Sequence, residues 1–173
     1  MTDELKQERL KELLHYDQES GLFTRRVRRG RCLAGEVAGT LTDTGYIKIY
    51  YEGKLYRAHR LAWLYMTGVW PDSEIDHING DRSDNRWANL RSALPHQNRQ
   101  NTLLIPNNSS GYIGVSWSSN RRKWAAAIQH LGKTKWLGYF DNKEDARNAY
   151  LRAKQEIHTF QPTPRNDGLH HGL

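Results

Sequence analysis

Apolar and polar positions change rhythm several times along the chain, and each rhythm predicts an element. Leu10, Leu13 and Leu14 form a short amphipathic stripe, which predicts a helix from about Asp3 to His15 before "DQESG" breaks it. From Gly45 to Ala58 the period drops to two. "GYIKIYYEGKLYRA" alternates about Glu52-Gly53, the pattern of a β-hairpin closed by a tight turn. "HRLAWLYMTG", residues 59–68, then predicts a short apolar helix stopped by Gly68 and Pro71. Periodicity ceases at "LIPNNSSG", where Pro, Asn, Ser and Gly take over, so residues 104–111 are expected to be a linker.

Beyond that break lie three strand-like runs, "YIGVSW", "KWAAAIQ" and "KTKWLGYF", separated by the turns "SSNRR" and "HLG". A helix is expected from Asn142 to about His158. Asn142 is a good N-cap with Asp145 three residues on, and Ala146, Ala149, Tyr150, Ala153 and Ile157 make a helical stripe. The pattern assigns an α+β chain: an N-terminal helix and basic arm (1–44), a core (45–103), the linker, a three-stranded antiparallel sheet with one packed helix (112–158), and a tail (159–173). The tail "QPTPRNDGLHHGL" has no packing pattern and is expected to be disordered. Its paired histidines read as a chance metal binder or the remnant of an added tag.

At 173 residues the chain can bury one ordinary core or two small ones. Its formal net charge is +7, which suits a polyanionic partner. The distribution is more informative than the total, because a near-neutral middle, residues 36–101, is flanked by basic stretches. "RRVRRGR", residues 25–31, carries five arginines in seven positions. It reads either as a solvated loop or as an arm that contacts phosphates through Arg25, Arg26, Arg28 and Arg29. Cys32 is the only cysteine, so no disulfide can form within the chain and no structural zinc site is expected. Neither a signal peptide nor an apolar run of membrane length is present, which predicts a soluble, cytoplasmic protein without a membrane partner.

The neutral middle holds the candidate chemistry, in "DHINGDRSDNRWANLR", residues 76–91. Hydrolysis of a phosphodiester needs a base near neutral pKa, stabilisation of charge on the phosphate, and stabilisation of the leaving oxygen. Histidine supplies such a base, and carboxylate or amide oxygens suit a hard divalent ion. Asp76 and His77 offer one of each. On an extended segment their side chains leave on opposite faces, so a division of labour is expected rather than a shared ion. His59 reads either as a ligand or as a structural residue opening its helix.

"DHINGDRSDNRWANLR…HQNRQN", with "YRAHRLAWL" before it, resembles the HNH endonucleases of phages and mobile introns. The resemblance runs from about Gly45 to Asn101 and implies a ββα core around a single Mg²⁺ or Mn²⁺. It implies Asp76 and Asn98 as metal ligands and His77 as the base that activates water. Asn89 is then the asparagine whose side chain bonds backbone across the loop and keeps His77 in place. Gly80 and Asn85 fit the turn chemistry of that loop. The last motif position is asparagine where histidine is common, and His96 is the rival ligand there.

"GYIGVSWSSNRRKWAAAIQHLGKTKWLGYFDNKEDARNAYLRA" is similar to the plant Apetala-type, or ethylene-response-factor, DNA-binding domain over residues 108–158. In that family the sheet enters the major groove. Strand alternation puts Val115, Trp124, Ala126, Ile128 and Leu137 toward the helix and Ser116, Ala127, Gln129, Thr134 and Trp136 outward. Trp117 and Trp124 are expected in the core. Ser118, Arg121, Arg122, Lys133 and Lys135 complete the expected DNA-contacting set. The plant domains line this face with guanine-reading arginines, whereas Ser116, Ala127, Gln129 and Thr134 stand here, so shape readout gains weight. The combined expectation is a homing-type endonuclease on double-stranded DNA, acting as a monomer. A DNA-binding regulator with a decayed HNH core is the alternative.

Overall fold

In the computed structural model, residues 3–101 and 108–160 are described. The expected tail falls almost wholly outside them, as does the first half of the expected linker. The described residues form two compact units, Met1–Ala93 and Leu94–Leu173.

In the first unit, α1 (Asp3–Leu13) leads directly into β1 (Leu14–Tyr16). The helix therefore stops two residues before the expected end at His15. Leu14 to Tyr16 pair with β2 (Phe23–Arg25), placing His15 opposite Thr24, and that backbone pairing ends the helix. β3 (Val37–Ala38) completes this small sheet, and β4 (Thr40–Leu41), β5 (Ile47–Tyr51) and β6 (Lys54–Arg57) make a second one. The Glu52-Gly53 turn has positive φ at both residues, 46° and 81°, as a two-residue hairpin of this twist requires. α2 (Ala58–Thr67) follows, and Gly68 ends it in the left-handed conformation, its N–H returning to the Leu64 carbonyl. Leu61 and Leu64 of α2 are fully buried and share one core with Leu10, Phe23 and Ile49. Each such side chain contributes about 1.5–3 kcal/mol of apolar burial. Against this core lies a hairpin of β7 (Glu74–His77) and β8 (Leu90–Ala93). It is the element that carries Asp76 and His77.

The second unit begins with α3 (Pro95–Asn98), continued by a 3₁₀ turn at Arg99–Asn101. The compact division thus falls at 93/94 rather than at the expected 104–111. The reason is long-range bonding: the buried Lys154 ammonium donates to the Gln100 carbonyl at 2.7 Å, and the Phe160 N–H donates to the Gln100 side chain. Residues 108–111 are also ordered by their own chemistry. Asn108 Oδ1 accepts from the Ser110 and Gly111 N–H groups, and the buried Ser110 hydroxyl bonds the Val115 carbonyl.

β9 (Val115–Ser118), β10 (Lys123–His130) and β11 (Lys133–Phe140) form an antiparallel sheet in the order β11-β10-β9, covered by α4 (Lys143–Ile157). The Asn142 side chain accepts from the Asp145 N–H at 2.7 Å, an N-cap of the expected kind. Val115, Ala126 and Ala146 pack together, as do Ile128, Tyr150 and Ala153. Trp117 departs from expectation. It is 49% exposed, because β9 is an edge strand, and the indole meets Trp124 edge-on at 5.2 Å.

Candidate active site and DNA-facing surfaces

The β7–β8 register places Asp76 opposite Arg91 and His77 opposite Leu90, so the adjacent acid and base leave the strand on opposite faces. Asp76 is buried, and its Oδ2 accepts from both Nε and Nη2 of Arg91 at 2.8 Å. Removing a buried carboxylate from water is costly unless it is paired, and this guanidinium supplies the pairing. His77 is buried on the other face. Its Nε2 lies 3.3 Å from Asn85 Oδ1, and the Asn85 amide is oriented by Nδ2 donating to the Ser83 carbonyl. An amide oxygen only accepts, so Nε2 carries the proton and the neutral ring keeps its lone pair on Nδ1. Burial pushes the His77 pKa below its ordinary value, opposed by the Asn85 bond and by Asp76.

The loop between the strands is held by amide groups. Asn89 Oδ1 accepts from the Asn79 N–H and its Nδ2 donates to the Asp84 carbonyl, both at 2.8 Å. Asn79 in turn bonds Asp84, whose carboxylate is gripped by Arg86 and held down to a pKa of about 2. From outside the loop, the Tyr16 hydroxyl donates to the Asn85 carbonyl at 2.6 Å and the Trp87 N–H donates to the Gln18 carbonyl. Gly21 packs so closely that a Cβ there would lie 2.4 Å from the Arg86 nitrogen. His59 is buried with its ring edge-on to His77 at 4.9 Å, and burial, with His77 and Arg57 beside it, drives its pKa to about 3. It is therefore neutral and packed at any ordinary pH.

Asp76, His77 and Asn89 are thus brought together on one hairpin. Asn98 closes α3 in the second unit, its N–H on the Leu94 carbonyl. His96 lines a cavity of about 250 Å³ in that unit together with His130 and His158. Asn85, Arg91 and His59 were not foreseen as neighbours of the two motif residues. The Asp76–Arg91 pair had a signal, since residues closing a hairpin from opposite strands face one another, but the register depends on loop length and turns.

The basic arm is more ordered than a free loop. Arg25 ends β2, the Arg26 N–H bonds the Leu13 carbonyl, and Arg29 stands 4.7 Å over the Tyr50 ring. Arg28 is exposed and its Nε reaches the Gly30 carbonyl.

In the second unit Ser116, Gln129, Thr134 and Trp136 are exposed, and Ala127 pairs with Trp136 on the outer face. Ser118, half-buried, pairs with Lys123, while Arg121 and Arg122 occupy the exposed β9–β10 turn. Lys133 and Lys135 are exposed and pair with His130 and Ile128, so the register puts both on the face opposite Trp136. A bulge between Ala126 and Ala127 shifts β11 by one residue, so Tyr139 emerges on the same face as Trp136, their rings 4.9 Å apart. Arg121 lies 4.7 Å over Tyr139. Strict alternation hides Tyr139, but Gly138 inside a strand run was the available signal for a bulge.

Comparison with known proteins places these features. A family model described as HNH endonuclease matches residues 56–100, which run from β6 through the Asp76–His77 hairpin. Protein 3.8 of Escherichia phage T7 is 34% identical over 106 residues, 61% of this chain and 87% of that protein. A solved structure described as "DNA binding and cleavage by the HNH homing endonuclease I-HmuI" is similar over 77% of this chain and 74% of its own, at 19% identity and a TM-score of 0.41. None of the described helices is long and apolar enough to cross a membrane. The chain belongs to the family of Protein 3.8 of phage T7, and its residues 56–100 match the HNH endonuclease model.

Proposed function

We propose that the protein is a metal-dependent endonuclease that hydrolyses phosphodiester bonds in double-stranded DNA, of the homing type, acting in the cytoplasm of a host cell. The observation that carries this reading is the buried Asp76–His77 pair on β7, with Asn85 bonding the histidine and Asn89 pinning the loop, inside the segment that matches the HNH endonuclease model. His77 takes the proton of the attacking water on Nδ1, because Asn85 fixes the other ring proton on Nε2. Its lowered pKa keeps the ring in the basic form at neutral pH. Asn89 holds the strand and loop so that the ring stays aimed.

Within the first unit, Asp76 is the residue that would hold Mg²⁺ or Mn²⁺. Its donor is a carboxylate oxygen, the chemistry a hard divalent ion prefers. A carboxylate has about four lone-pair sites, so its bond to Arg91 does not by itself exclude an ion. When bound, such an ion supplies Lewis-acid stabilisation of the charged phosphate and of the leaving 3′ oxygen. Targeting is assigned to the second unit as an Apetala-type module. Its support is the three-stranded sheet under one helix and the outer face of Ser116, Gln129, Thr134, Trp136 and Tyr139, with Arg121 beside it. The basic arm contributes sequence-independent phosphate contacts.

The test compares wild-type and His77→Ala protein in duplex cleavage and in duplex binding. Loss of cleavage with DNA affinity nearly unchanged is expected. Comparable cleavage by the variant would remove His77 from the chemistry, and binding without cleavage by the wild type would favour a regulator with a decayed core.

A further inference from the structure

We infer that Arg57 and Arg82, held over the ring of Tyr46, form a two-guanidinium clamp for a backbone phosphate of the DNA beside His77; this rests on the nuclease reading. Tyr46 stands just before β5 with its ring 5.4 Å from that of His59 and 6.1 Å from that of His77. Two cations from different elements converge on it. Arg57, the last residue of β6, places its guanidinium 4.2 Å from the ring centroid, and Arg82, from the β7–β8 loop, places its own at 5.1 Å. The Arg82 Nη1 also donates to the Thr44 carbonyl at 3.2 Å, which tethers the hairpin loop to the turn before β5.

The other arginines around the hairpin show what is unusual here. Arg91 is paired with Asp76 and Arg86 with Asp84. Among the described residues neither Arg57 nor Arg82 forms an ion pair with a carboxylate, although both are exposed and hold like charges over one ring. The ring offsets part of that repulsion, since an exposed cation–π contact contributes about 0.5–1 kcal/mol. An oxyanion between the two forks would neutralise the rest, and guanidinium geometry matches phosphate oxygens bidentately. Nothing in the trio reads a base, so the clamp binds backbone without regard to sequence. Its place beside His77 gives it a positioning role: it sets where the strand lies relative to the base.

The experiment uses the full chain carrying His77→Ala, so that DNA survives, and measures affinity for a 30-base-pair duplex of arbitrary sequence across a series of NaCl concentrations. Adding Arg57→Ala or Arg82→Ala is expected to flatten the slope of log K against log salt by about 0.9 each, and both together by about twice that. Arg9→Ala, which removes an equal charge paired with Glu12 and Glu52, is expected to leave the slope as it was. In the active background, Arg57→Ala and Arg82→Ala are expected to raise KM far more than they lower kcat. Thermal melting of each variant establishes that it is folded, and Arg57→Lys and Arg82→Lys, which keep the charge, are expected to restore the slope. Unchanged slopes in folded alanine variants, with a wild type that cleaves, would overturn the clamp alone. Flattened slopes with a wild type that cleaves no DNA would leave the clamp standing and overturn the nuclease reading.

Discussion

At the scale of single residues, the amide side chains around His77 hold a loop that has little apolar surface of its own. Asn89 satisfies one backbone N–H and one backbone carbonyl, so Asn89→Ala strands both in a partly buried setting. A destabilisation of about 1–3 kcal/mol is expected in chemical denaturation. No measurable loss would mean that water or a loop shift replaces the amide. This role was implied by the resemblance to HNH endonucleases. The Asn85 bond to His77 was not, because Asn85 read equally well as an ordinary turn former, and only the fold shows which way its amide points. His59 was left open between ligand and structural residue, and burial decides for structure. Its pKa of about 3, against an ordinary 6.5, means the unfolded chain binds a proton that the folded chain refuses. Stability is therefore full above about pH 6.5 and lost as pH falls toward 3, by up to roughly 1.4 kcal/mol per pH unit from this group. A denaturation midpoint that stays flat between pH 7 and pH 5 would contradict the packed, neutral state of this ring.

At the scale of elements, the predicted helices and the long strands follow from period and capping alone. β5, β6, α2, β10, β11 and α4 lie where those signals put them, while β9 begins at Val115, three residues into the run expected from Tyr112. The pieces that escaped are short. β1 to β4 have two or three residues each, too few to show alternation, and their pairing comes from tertiary contact. The bulge in β11 belongs here too: one extra residue reversed the facing of Tyr139 relative to strict alternation. Gly21 is where the β1–β2 turn packs against the Asn85–Arg86 backbone of the β7–β8 loop. It has φ of 73° and no room for a Cβ beside the Arg86 backbone. Gly21→Ala is expected to destabilise by several kcal/mol or to displace the loop, since backbone cannot yield as a flexible side chain can. Wild-type stability and cleavage in this variant would show that the β1–β2 turn does not support the loop.

At the scale of the molecule, the Asp76–His77 hairpin lies in one compact unit and a sheet-and-helix module in the other, each with a core of its own. The two-module plan was legible, but its boundary was not: the linker-like composition of residues 104–111 was the visible signal, whereas Lys154 and Phe160 bind Gln100 by contacts distant in sequence. The basic surplus of +7 fits such a plan without specifying it, since charge favours any polyanion. The most direct measurement is incubation of supercoiled plasmid and phage genomic DNA with the full-length protein and Mg²⁺ or Mn²⁺, against EDTA and His77→Ala controls. Conversion to open-circle or linear DNA that requires the metal and vanishes in both controls is the expected result. Cleavage that persists in EDTA or in His77→Ala would contradict metal-dependent hydrolysis at the Asp76–His77 hairpin.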